Sequence, residues 1–101
     1  YMQCYWNSEE LCFVGGDRIS RGWRPVLEGY RRAYPDRKTM GVLTFSDLEV
    51  TLLAGDAALV LGRWHLQRES DEPQGVFTLV FRRFAEDWRI VHDHTSSAEG
   101  D

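Results

Sequence analysis

Lysine is almost absent. Of twelve basic residues only Lys38 is a lysine, and with sixteen acidic residues the 101-residue chain carries a formal net charge of −4. A net negative chain exerts no general attraction on nucleic acid or on anionic membranes, so both fall away as partners. The nearest approach to a basic patch is Arg18, Arg21, Arg24, Arg31, Arg32 and Arg37, which sit mostly on the polar side of a predicted helix and read as its solvated face. Cysteine is scarce too. Cys4 and Cys12 are too few for a disulfide framework, so both are expected to be reduced packing residues. No apolar run approaches the roughly 20 residues of a membrane span, and no signal segment opens the chain, which makes a soluble, cytoplasmic protein the expectation. Also missing are a nucleophile motif, a phosphate-binding loop and a Cys-x-x-Cys pair.

What the chain does hold is apolar and aromatic residues in the proportion of a folded domain, 43% and 13%, where disordered segments run short of both. A chain of about 100 residues buries roughly two thirds of the surface it exposes when unfolded, enough for one core. Residues 1–96 are therefore expected to form a single domain, with 97–101 frayed. Tyr1 stands where an initiator methionine would, and the first residues read as the middle of an element. A preceding segment is expected to be missing.

Tyr1, Met2, Tyr5 and Trp6 fall at helical spacing before Asn7-Ser8 stops them, the pattern of a helix's last turns. Residues 11–14 are a short apolar run closed by Gly15-Gly16, a strand ending in a turn. Apolar residues then recur at Trp23, Val26, Leu27, Tyr30, Ala33 and Tyr34, one face of an amphipathic helix. Pro25 fits only its first turn, and Pro35 ends it. Residues 42–53 form a strand rich in Leu, Val and Thr whose alternation slips: Leu43 and Phe45 share one phase, Leu48, Val50 and Leu52 the other. A β-bulge near Ser46-Asp47 accounts for the slip. Turns at 54–56, 70–75 and 85–87 separate three further strands, 57–68, 76–84 and 88–96. Four long antiparallel strands with helices on one face make an α+β domain.

This order of elements, with the ending Trp88-Arg89-Ile90-Val91-His92-Asp93-His94-Thr95-Ser96, resembles the NTF2-like superfamily of cone-shaped α+β domains. Within it the chain is most similar to the SnoaL-like group that contains the DUF4440 proteins and the association domain of calcium/calmodulin-dependent kinase II. The kinase domain's last strand has a similar Trp-x-x-Val-His-x-His pattern, matched by Trp88, Val91, His92 and His94; the Gly55-Asp56-Ala57-Ala58 hairpin followed by Arg63 matches as well. The resemblance implies a curved antiparallel sheet with helices packed on its concave face, a small-ligand pocket, and a homodimer built through the outer face of the sheet. Members of the superfamily begin with a long helix across the mouth of the cone, and this sequence starts after it. The kinase domain also lines its pocket with arginines. Only Arg63 is retained here, with Leu79 and Thr95 at the other aligned positions, which argues against an arginine-held anion. No cofactor is implied.

Two sets alternate along the last strand, Trp88, Ile90, His92, His94 and Arg89, Val91, Asp93, Thr95. The resemblance puts Asp93 and Thr95 inward, and with them Leu59, Leu61, Arg63 and His65 of the return strand. Ala58, Val60, Gly62, Trp64 and Leu66 would then make an apolar outer face. Trp64, His92 and His94 are accordingly the expected dimer-interface residues. Inside an apolar cone, desolvation disfavours the charge on Asp93 and moves its pKa toward the range of proton transfer. Ketosteroid isomerase, which shares the fold, uses aspartates and a tyrosine in that way. On this reading Asp93 is the acid–base candidate, Tyr30, Tyr34 or His65 donates to a developing oxyanion, and Trp23, Tyr34, Arg63 and Thr95 line the ligand site. The alternative is a structural pair, Asp93 with Arg63 or His65. A His-x-His pair such as His92 and His94 chelates zinc when a third ligand approaches, but His65 is placed on the other face, and no metal is expected. The functional expectation is a SnoaL-like small-molecule-binding protein with isomerase, cyclase or hydratase chemistry at Asp93, or else a non-catalytic association module.

Overall fold

Gly16, at φ 60°, begins a two-residue reversal between β1 (Cys12–Gly15) and β2 (Arg18–Arg21). A positive φ suits this tight hairpin and costs glycine no Cβ clash. The computed structural model describes residues 2–33 and 41–98. After the hairpin come one helix, α1 (Trp23–Ala33), and four long strands: β3 (Val42–Ala54), β4 (Ala57–Gln67), β5 (Gln74–Phe84) and β6 (Asp87–Ser97). The six strands form one curved sheet in the order β2-β1-β6-β5-β4-β3. Every neighbouring pair is antiparallel except β1 and β6, which run parallel.

The sheet is therefore mixed, and it has one strand more than expected. Arg18–Arg21, with a single apolar residue among four, carries too little alternation to be read as a strand. Met2–Cys4 is one 3-10 turn rather than the end of a helix, and Tyr5 leaves it to bridge Ile90. β6 runs to Ser97, one residue further than expected. Tyr1, Tyr34 and the last three residues of the expected tail lie outside the described residues.

Register decides which side chains share a face. Val50, Val60, Leu79, Asp93, Phe13 and Ser20 form one row across all six strands. On this inner face Val26 of α1 is buried with Tyr5, Leu11 and Ile90, while Trp23, Leu27, Phe13, Leu79 and Phe81 pack against them. The rows on either side, Thr51-Leu59-Val80-His92-Cys12-Arg21 and Glu49-Leu61-Thr78-His94-Val14-Ile19, project from the opposite, outer face.

Two bulges shape these rows. In β3 the register shifts between Ser46 and Glu49, where Asp47 takes φ 52°. The sequence slip is thus real, and an aspartate tolerates the left-handed conformation better than most residues. Leu48, displaced by this bulge, lies over Gly62: a Cβ there would sit 2.7 Å from Leu48 Cδ2 and 2.7 Å from Phe77 Cζ. In β6 the register shifts between the Val80–His92 and Phe81–Ile90 pairs. Val91 is the extra residue, which lets Ile90 and Asp93 face inward together. β3 is exposed along its whole length, with Phe45 meeting Phe77 edge to face at 5.5 Å.

Candidate functional site

Asp93 sits in the inner row at 4% exposure, the one buried charged residue among the described residues. Each carboxylate oxygen accepts a hydrogen bond. The Tyr5 hydroxyl donates to Oδ2 at 2.6 Å and the Thr95 hydroxyl to Oδ1 at 2.6 Å. β6 supplies Asp93 and Thr95 together because residues two apart on a strand share a face. Tyr5 arrives from 88 residues away, held by its bridge to Ile90 and by the Trp6 N–H donating to the Ile90 carbonyl at 2.9 Å.

Burial pushes the Asp93 carboxyl above the usual carboxylate range; donation from Thr95 and Tyr5, and the imidazoles of His92 and His94, pull part of the way back. The two short bonds favour the ionised form, and the apolar surroundings favour the neutral one. A carboxyl balanced in this way can take or give a proton, which is the property acid–base chemistry needs.

Arg63 and His65 are not at this site. They are an odd number of positions from Val60, so they point to the outer face, where Arg63 Nε pairs with Asp47 at 3.1 Å and His65 Nε2 with Glu72 at 3.6 Å. The expected faces of β4 are reversed. Ala58, Val60, Gly62, Trp64 and Leu66 face inward, and the Trp64 indole N–H donates to the Ser96 carbonyl at 3.0 Å instead of lying in an outer patch with His92 and His94. The physical reason is that the apolar set of an amphipathic strand goes to the helix-covered side, and here that side is the even-numbered set. Neither Arg63 nor His65 is the structural partner of Asp93; Tyr5 and Thr95 are.

Trp23 is half-buried against the core, and Thr95 is half-buried beside Asp93. Tyr30 lies in α1, but its side chain, like Tyr34 entirely, falls outside what is described. His92 is half-buried and His94 exposed on the outer face. Among the described residues no group of three or more His, Cys, Asp or Glu is placed to hold a metal. An open depression of about 440 Å³ lies at the β3 bulge, lined by Asp47, Leu48, Glu49, Leu61, Gly62, Arg63 and Val76. It does not reach Asp93. Tyr5 was legible only as an apolar stripe residue, since no local pattern signals a contact with Asp93 across nearly the whole chain.

A SnoaL-like domain model matches residues 1–99. None of the curated proteins matches the chain. Among solved structures, an NTF2-like protein of unknown function from Shewanella oneidensis is 40% identical, with a TM-score of 0.90 over 95% of this chain and 79% of that one. A ketosteroid isomerase-like protein from Erwinia carotovora is 15% identical, with a TM-score of 0.74 over 96% of this chain and 78% of that one. A Xanthomonas campestris chain provisionally named a calcium/calmodulin dependent protein kinase II association domain is 13% identical, with a TM-score of 0.70 over 95% and 70%. The last two speak for the fold alone. No described helix is long and apolar enough to cross a membrane.

Proposed function

The chain belongs to the SnoaL-like domain family, and on that footing we propose that it binds a small, mostly apolar molecule on the inner face of the sheet, with Asp93 as the acid–base group at the edge of that surface. Asp93 carries the reading. A core of this kind gains nothing from an ionisable carboxyl at 4% exposure, and desolvating one costs several kcal/mol unless it is compensated. Val60, Gly62, Trp64, Phe77 and Leu79 beside it are uncharged, which suits a neutral ligand. Thr95 and Trp23 keep their proposed lining roles. The Tyr5 hydroxyl sets the proton affinity of Asp93; of the expected oxyanion donors His65 falls away on the outer face, and Tyr30 and Tyr34 keep that proposed role.

The reaction class this supports is proton transfer at carbon beside a carbonyl, the step shared by isomerases and cyclases. Asp93 takes the C–H proton and returns it to the same or a neighbouring carbon. Solvent-deuterium exchange into a panel of neutral, enolisable ketones, followed by proton NMR, tests it. Protein-dependent exchange that disappears in Asp93→Asn supports the role. Exchange unchanged by that substitution, or no exchange with any ketone, removes it.

A second reading, the non-catalytic association module, is favoured by one observation: protein hydroxyls already engage both Asp93 oxygens. In that case the cluster is a pin joining the N-terminal segment to β6. Both readings include a cytoplasmic homodimer formed through the outer face of β3–β6, where Leu61 and Val76 are exposed. The name of the Xanthomonas chain, an association domain, points the same way.

A further inference from the structure

His92 and His94 stand near the middle of the outer face among apolar neighbours. His92 lies between Val80 and Cys12, and His94 between Thr78 and Val14, with Leu59 and Leu61 one strand further on. Charged residues come only at the ends of these two rows, Arg21 on β2 and Glu49 on β3. An apolar centre with a polar rim is the anatomy of a protein interface. Strands of at least 11 residues, four abreast, present a face of about 36 by 19 Å, roughly 700 Å² before side-chain relief. A standard interface takes about 800 Å² per partner.

The charges select the occupant. A two-fold axis along the strands between β5 and β6, the middle of the six-strand order, lays the β2 edge of one copy over the β3 edge of the other, with Arg21 over Thr51 and one row, about 7 Å along the strand, from Glu49, within reach of the arginine side chain. The face is complementary to itself.

Resting on the homodimer reading above, we propose that association through this face is gated by His92 and His94, forming with neutral imidazoles and released when they are protonated. β6 borders the axis, so a dimer gathers four imidazoles near its centre, desolvated against Leu59, Leu61 and Val80. Histidine is the side chain whose charge ordinarily changes between about pH 5 and 8, and an unpaired charge in an apolar contact is strongly unfavourable. The other titratable groups on this face give no relief: Arg82 and Arg89, in the next outer row beyond Val80 and His92, are cations themselves and are met by Asp56 and Asp87. Cys12 flanks His92, with Arg21 beyond it. Glu49 is three strands away from His94, Arg63 is paired with Asp47, and His65 with Glu72. Asp93, between the two histidines, points to the opposite face and is held by Tyr5 and Thr95, and α1 packs on that opposite face as well; its attraction for the two imidazoles acts through the sheet in monomer and dimer alike and so does not replace the water that association removes. The dimer thus binds protons less readily than the monomer, so association is complete above the histidine range and lost as pH falls through it.

Sedimentation equilibrium at roughly pH 7.5, 6.5 and 5.5, spanning the histidine range, tests this on the wild type, on the double variant His92→Gln with His94→Gln, and on Leu61→Lys, with circular dichroism at each pH to verify the fold. The wild-type Kd is expected to rise at least about ten-fold from the highest to the lowest pH, equivalent to about 1.4 kcal/mol. The double variant should remain a dimer with a Kd that barely moves, and Leu61→Lys should be a folded monomer. A pH-independent wild-type dimer, or a double variant that still dissociates in acid, overturns the gating and leaves the homodimer standing. A folded wild-type monomer at every pH, or a dimer untouched by Leu61→Lys, overturns the outer-face homodimer itself.

Discussion

Removing one oxygen from Tyr5 probes how a carboxylate is kept inside this domain. In Tyr5→Phe the ring still fills its place with Leu11, Val26 and Ile90, and the 2.6 Å bond to Asp93 Oδ2 is lost. Water has little access to replace it, because Asp93 is 4% exposed. A hydrogen bond to a charged group contributes about 1.5–3 kcal/mol, so the variant should lose that much stability at neutral pH. In a domain of this size each kcal/mol shifts Tm by roughly 4–8 °C, and a fall of about 10 °C is expected. The loss should shrink in acid, since a protonated Asp93 no longer needs two donors. Urea unfolding of both proteins at neutral pH and again near the ordinary carboxylate value, about 3.9, measures both effects. A deficit below about 0.5 kcal/mol, the range of surface substitutions, or one that is the same at both pH values, refutes the reasoning.

Other substitutions follow from the same geometry. The folded state holds the Asp93 proton more tightly than the unfolded chain does, so its contribution to stability is fully present below the unfolded value and is lost as pH rises through the raised native one; Asp93→Asn should flatten that slope in thermal melts across the acid range. Gly62→Ala drives a methyl against Leu48 and Phe77 and should lower the unfolding free energy by about 1–3 kcal/mol through overpacking, seen as an earlier denaturation midpoint, whereas an unchanged midpoint would mean that the Leu48 bulge yields freely. Arg63→Ala removes an exposed pair with Asp47 and should change stability by less than about 1 kcal/mol, with no effect on ligand binding at the inner face by fluorescence titration.

Much of the fold was readable from spacing. The apolar stripe from Trp23 through Ala33 is α1, and the phase slip between Phe45 and Leu48 is a true bulge. The second bulge was not read. Adjacent apolar residues Ile90 and Val91 are its only trace, and strict alternation puts Ile90 on the wrong side of Asp93. In β4 the strand's own pattern, Ala58-Val60-Gly62-Trp64-Leu66, marked the buried face; aligning Arg63 with a pocket arginine of the kinase association domain overrode it and turned the strand over. Asp93 stood out because an apolar strand has no need of it. Tyr5 did not, since its role comes from a contact made 88 residues away, and periodicity carries only local information.

The central claim is that the inner face holds a carboxyl whose proton affinity is raised by burial and restrained by Tyr5 and Thr95. The most direct measurement is an NMR titration of the Asp93 side-chain carboxyl carbon, in the wild type and in Tyr5→Phe. The account predicts a midpoint above the ordinary aspartate value of about 3.9, moving higher still when the Tyr5 hydroxyl is removed. A midpoint at or below that value, unmoved by Tyr5→Phe, would contradict it.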